Sequence, residues 1–146
     1  VREFARLARE HSAAATITRI ALLPAAAAAV AGRLAAIADA HNLEAALALG
    51  AAGSAGTGYV ALWPRSPGAA NDQAQASLAA AIKEILEAAS NGAGAARGFV
   101  EWCPTALKRR ISLWGDARED FVLMQRVKNI FDPHGALAPG RYCGGL

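Results

Sequence analysis

The chain has 146 residues, a net charge of +3 and a pI near 9.2; it is 54% hydrophobic but only 6% aromatic, much of the apolar content being alanine, which favours helices without adding core volume. This length supports one ordinary domain that buries about two-thirds of its unfolded surface, so no metal or disulfide staple is required. The longest apolar run, residues 20–32, is broken by Pro24 and falls short of the roughly 20 residues of a membrane span, and the basic residues are scattered apart from Lys108, Arg109 and Arg110, which is not a nucleic-acid footprint.

Residues 1–13 are charged, carry Phe4 and Leu7 at helical spacing, and read as a short helix or the remnant of a connection from something upstream. Arg2, Glu3, Arg6, Arg9 and Glu10 interrupt any signal-peptide core, and an opening Val raises the expectation of a longer polypeptide. Residues 14–23 predict a strand, with Ile17, Ala21 and Leu23 alternating against Thr16, Thr18 and Leu22. Pro24 suits a first helical position, and Val30, Leu34 and Ile37 share one face of a helix running to about His41 and Asn42. Residues 43–51 and 58–63 read as a hairpin about the turn in GAAGSAG, ended by Pro64.

After a loop over 65–70, Asp72 and Gln75 resemble a capping box opening a second long helix. Its core face is Leu78, Ile82, Ile85 and Leu86, its solvent face Lys83, Glu84 and Glu87, and Asn91-Gly92 stop it. Residues 96–103 predict a fourth strand, ended by Pro104. The order β-α-β-β-α-β is the split βαβ of ferredoxin-like folds: an α+β domain with a four-stranded antiparallel sheet and two helices on one face. Beyond it come Trp114-Gly115, a second capping box in Asp116 and Glu119, and a third helix with Leu123, Val127 and Ile130 inward, closed at Pro133. Asp132-Pro133-His134-Gly135 suits a type I turn and Pro139-Gly140 a type II turn. The expected organisation is therefore a connecting remnant over 1–13 and a domain over 14–146, comprising a ferredoxin-like core (14–104) and a C-terminal helix and tail (105–146).

Little in this pattern carries chemistry by itself. The stretch ARGFVEW echoes an RNA-binding strand but falls on the fourth strand, not the third, and a period of two sets Phe99 and Trp102 on opposite faces, so no nucleic-acid partner is expected. Cys103 and Cys143 lack CxxC or zinc spacing and read as free thiols. His11, His41 and His134 read as solvated histidines, and with no clustered acid, base and nucleophile neither a catalytic residue nor a metal ligand is named. GSAGTG at 53–58 joins two strands, without the helix dipole of a phosphate cradle. The remaining surface features cluster late: Glu101, Trp102, Arg110, Trp114, Gly115, Pro139, Gly140 and Arg141.

Two motifs carry a family resemblance: VKNIFDPHGALAPGRY (127–142), and the pairing of VEWCP (100–104) with LWG (113–115). With them, residues 97–146 resemble the C-terminal end of FAD-linked oxidases and dehydrogenases acting on 2-hydroxy acids, most similarly the FAD-binding subunits of bacterial glycolate oxidases, and the order of elements extends the likeness over 15–96. The resemblance implies a cap domain covering the flavin of an N-terminal FAD-binding domain in the same polypeptide, with the tail turning back onto that domain through Pro139, Gly140 and Arg141. It implies FAD as cofactor of the whole protein, not bound by this chain alone, and a small 2-hydroxy acid such as glycolate as substrate. Electrons would pass to iron-sulfur and second flavoprotein subunits, in the cytoplasm or at the membrane surface through those partners. Glu101 and Arg110 would line the substrate pocket, the arginine as carboxylate clamp. Ala138 departs from the family's usual Asn. The alternative is a stand-alone ferredoxin-like module that binds a small ligand or dimerises through its open sheet face.

Overall fold

The computed structural model describes residues 2–52, 55–66, 71–91, 98–115 and 119–146. The tip of the first hairpin (53–54), the loop over 67–70, the helix stop at Gly92, the strand start at 96–97 and Asp116 lie outside the described residues.

An initial helix α1 (Arg2–His11) precedes β1 (Thr16–Leu22), α2 (Ala27–Ala40), β2 (Leu43–Ala52), β3 (Ala55–Pro64), α3 (Asp72–Asn91) and β4 (Gly98–Trp102). The sheet order is β2-β3-β1-β4 with every pairing antiparallel, which is the ferredoxin-like arrangement the element order predicts. Pro24 opens a single 3₁₀ turn that leads into α2. Helix α2 ends where Asn42 takes a left-handed backbone (φ 55°), a conformation asparagine tolerates better than other side-chain-bearing residues, and its N–H bonds the Asp39 carbonyl at 3.1 Å.

The main core lies between the sheet and α2 and α3. Leu34, Ile37 and Ala38 from α2 and Leu78, Ala81, Ile82, Ile85 and Leu86 from α3 pack on Ile20, Leu22, Val60, Leu62 and Val100. The apolar rows of both helices fall where their 3.6-residue period puts them. Strand β1 corrects its predicted row. Thr16, Thr18, Ile20 and Leu22 are all buried, Ile20 and Leu22 under the helices, whereas Ile17 is buried on the opposite face and Ala21 is exposed. The alternation is ambiguous in sequence because both faces of β1 are covered at its N-terminal end: α1 lies across the second face, where Phe4, Ala5 and Ala8 pack near Ile17, Tyr59, Ala61, Trp63 and Trp102.

Two further details differ from expectation. The side chain that caps α3 is Asn71, whose Oδ1 accepts from the Ala74 N–H at 2.9 Å; Asp72 sits one residue inside and pairs with Arg110 instead. In β4 the register jumps, Thr18 pairing with Val100 and Ile17 with Trp102, so Glu101 is the extra residue of a bulge. The bulge cancels the period of two and puts Phe99, opposite Arg19, on the same face as Trp102, opposite Ile17. The glycines of GSAGTG that fall in β3 also have a structural use: a Cβ at Gly56 would lie 2.7 Å from the Leu22 carbonyl oxygen, and one at Gly58 would lie 2.9 Å from the Ile20 side chain.

Beyond the sheet come a short helix α4 (Thr105–Lys108), whose Leu107 joins the main core, and α5 (Phe121–Phe131), which has no buried residue. The expected inward row is outward: Leu123, Val127 and Ile130 are 63%, 47% and 72% exposed. Helix α5 instead turns Phe121, Met124 and Lys128 toward the body, the three half-buried positions one and two turns apart along it.

Candidate functional site

The tail is shaped by its own residues. Asp132 is buried, and its carboxylate accepts from Lys128 Nζ one helical turn back and from the backbone N–H groups of Ala136 (2.8 Å) and Leu137 (2.9 Å). Lys128 also donates to the Leu137 carbonyl at 2.6 Å. The Lys128 hydrogen bond, then those from Leu137 and Ala136, hold the Asp132 carboxyl below the usual carboxylate range despite its burial. The Gly135 N–H closes the first turn onto the Asp132 carbonyl at 3.1 Å, with Gly135 at φ 62°, and the Arg141 N–H closes the second onto Ala138 at 3.2 Å, with Gly140 at φ 72°. Both turns fall where the proline and glycine spacing places them.

An aromatic column ties this tail to the sheet. Phe99 of β4 stacks on Trp114 (centroids 5.4 Å, 27°), and Trp114 lies against Tyr142 (4.7 Å, 54°). The Trp114 indole N–H donates to the Arg141 carbonyl at 3.2 Å. The chain around Trp114 follows the outer edge of the sheet, where the Val100 N–H of β4 donates to the Leu113 carbonyl at 2.7 Å. Between α3, β4, this segment, α5 and the tail lies a cleft of about 830 Å³, with Lys83, Phe99, Arg110, Trp114, Phe121 and Tyr142 among its walls. A shallower apolar groove of about 540 Å³ runs between α5 and the tail, lined by Leu123, Val127, Leu137, Arg141 and Leu146.

The five residues expected to touch cofactor or substrate occupy three places. Pro139, Gly140 and Arg141 form the exposed second turn of the tail. Arg110 follows α4, lines the cleft and forms an ion pair with Asp72. Glu101 is the exposed bulge residue of β4 and is not among the cleft residues. Sequence reasoning named Trp114 but missed its partners Phe99 and Tyr142, and it missed Arg19, whose guanidinium lies 5.7 Å from the Tyr59 ring centre and 5.8 Å from that of Phe99. Only the pairing register brings these three strands' residues together.

The histidines and cysteines have structural places. His41 is half-buried and meets Glu84 of α3 at 2.8 Å, so it joins the two helices and is not simply solvated; His11 meets the Trp63 ring edge-to-face. Cys103 is buried in the core, which pushes its thiol pKa up against the smaller opposing effect of Lys108; Cys143 is half-buried beside the cleft. Among the described residues no group of three or more His, Cys, Asp or Glu side chains is arranged to hold a metal ion, and no helix is long and apolar enough to cross a membrane.

Against known proteins, the family model described as FAD linked oxidases, C-terminal domain, matches residues 107–142. The matched stretch runs from the end of α4 through Trp114, α5 and both tail turns. No curated protein and no solved structure matches the chain.

Proposed function

We propose that this chain is the C-terminal cap part of an FAD-linked oxidoreductase that oxidises a small 2-hydroxy acid such as glycolate, and that it works against an FAD-binding domain of the same polypeptide. The observation that carries this is a coincidence of place. The stretch similar to FAD-linked oxidases, 107–142, includes the part of the molecule that packs least on its own body, with Leu123, Val127, Ile130 and Leu137 of α5 and the tail exposed. This stretch is specified in detail, with two hydrogen-bonded turns and a buried Asp132. An apolar stripe beside it fits a large interdomain contact.

FAD, when bound by the whole protein, would accept the hydride from the substrate carbon. The glycines Gly56 and Gly58 are engaged in strand pairing, and the exposed turn of Pro139, Gly140 and Arg141, offering a cation and a tight backbone, is the part of this chain we assign to meet the cofactor. The substrate side would be lined from this chain, with Glu101 and Arg110 as first candidates, and electrons would leave through iron-sulfur or second flavoprotein subunits in the cytoplasm or at the membrane surface.

The test is a titration of this chain with FAD, alone and with the FAD-binding part supplied in trans, followed by flavin absorbance and fluorescence. No binding alone, with a perturbed flavin spectrum on mixing, is the expected result. Tight binding of FAD by the chain alone would sink the cap assignment and favour an independent ligand-binding module.

A further inference from the structure

The sheet face opposite α2 and α3 is only half covered. Helix α1 spans its Ile17, Tyr59, Ala61, Trp63 and Trp102 end, where Tyr59 is buried. Further along β1 on the same face stands Arg19, exposed, on one of the two central strands. Register makes its neighbours: Tyr59 of β3 on one side and Phe99 of β4 on the other, the two residues directly paired with it. Both rings lie within 6 Å of the guanidinium carbon, at 5.7 and 5.8 Å. Arg19 therefore has aromatic neighbours on both flanks but, among the described residues, no carboxylate paired with it. Rings beside a guanidinium restrict its rotamers and exclude water laterally, while its planar fork remains available to an acceptor.

Arg110, by contrast, already pairs with the exposed carboxylate of Asp72. We infer that Arg19, framed by Tyr59 and Phe99, is a residue of this chain that binds the substrate carboxylate, beyond those named above. The inference rests on the cap assignment for the identity of the ligand, but its geometry belongs to the sheet. A small carboxylate suits it because the fork offers two parallel N–H donors to its two oxygens. Phe99 also stacks on Trp114, whose indole holds the tail, so a ligand seated on Arg19 sits at the foot of the column that ends at Tyr142.

Two measurements separate this from the cap assignment. In the polypeptide that joins this chain to its FAD-binding part, Arg19→Gln should raise the KM for glycolate about ten- to hundredfold, the size of a lost charge-assisted pair, while kcat falls less. Arg19→Lys should recover part of that loss, and Arg33→Gln, an exposed position of α2 on the other side of the sheet, should leave KM near wild type. An unchanged KM in Arg19→Gln, or an equal effect in Arg33→Gln, would overturn the assignment even with the flavin chemistry intact. Independently of activity, the arginine side-chain N–H signals of this chain can be followed by NMR during titration with glycolate, with neutral glycolamide as control at matched ionic strength. A shift at Arg19 with glycolate alone supports the carboxylate site, and does so even if no flavin association is found. Equal shifts with both compounds, or a shift confined to Arg110, would overturn it.

Discussion

The indole N–H of Trp114 donates to the carbonyl of Arg141 at 3.2 Å, across 27 positions of sequence. The same ring lies between Phe99 and Tyr142, so one side chain fastens the end of the chain to the edge strand of the sheet. Trp114→Phe keeps a ring in the column and loses the donor, which should weaken the tail by about 1 kcal/mol; Trp114→Ala should add the loss of two ring contacts, each about 0.5 to 1.5 kcal/mol. Amide exchange at Tyr142 and Leu146, which bond each other and the turn at Cys143, is the measurement. Unchanged protection in Trp114→Ala would mean that the tail is held by other contacts.

Asp132 gives the tail a pH dependence of defined sign. Its folded pKa lies below the ordinary carboxylate value of about 3.9, chiefly because Lys128 and the Leu137 N–H bond the charged form. Its contribution is therefore complete above that value and is lost as the pH falls through the folded pKa. On acidification the amide signals of Ala136 and Leu137 should move together and lose protection, with a midpoint below that of an unpaired carboxyl. Asp132→Asn should be loosened at neutral pH and flat across the same range. A wild-type midpoint at or above the ordinary carboxylate value would contradict the network.

Ala138 has φ 47°, a left-handed conformation that costs an ordinary L-residue roughly 1 to 2 kcal/mol. Asparagine tolerates that region best among residues with side chains. Ala138→Asn should therefore stabilise the second turn by about 0.5 to 1 kcal/mol. Ala138→Gly should gain less, since glycine also raises the entropy of the unfolded chain. Slower exchange of the Arg141 N–H, which closes the turn on the Ala138 carbonyl, is the readout; no change in either variant would show that the turn does not hold this conformation in solution.

The core was legible in sequence where the helical period stood alone. Leu78, Ile82, Ile85 and Leu86 are buried as their spacing demands. It was misread where a second element covers the same strand: Ile17 looks like the core row of β1 because it is buried, but by α1, which covers the other face. Phe99 and Trp102 were set apart by a rule of alternation that the Glu101 bulge suspends, and no local signal announces a bulge. Of the site, the turns at 132–135 and 138–141 could be read from proline and glycine alone. Arg19 could not, because its neighbours Tyr59 and Phe99 are far from it in sequence and the pairing register alone brings them together.

The exposed row of α5 separates intrinsic stability from association. A buried leucine or isoleucine cut to alanine costs about 2 to 5 kcal/mol, but Leu123 and Ile130 are 63% and 72% exposed here. In this chain alone, Leu123→Ala and Ile130→Ala should change the unfolding free energy by no more than about 0.5 kcal/mol, the range of ordinary surface substitutions, helped by the high helix propensity of alanine. Against the proposed FAD-binding domain the same variants should weaken association by roughly tenfold each, since apolar residues buried at the centre of an interface carry a kilocalorie or more. Thermal unfolding of the chain and a binding titration with its partner domain give the two numbers. A large loss of stability in isolation would mean that the row is packed within this chain; wild-type association by both variants would move the interdomain contact away from α5.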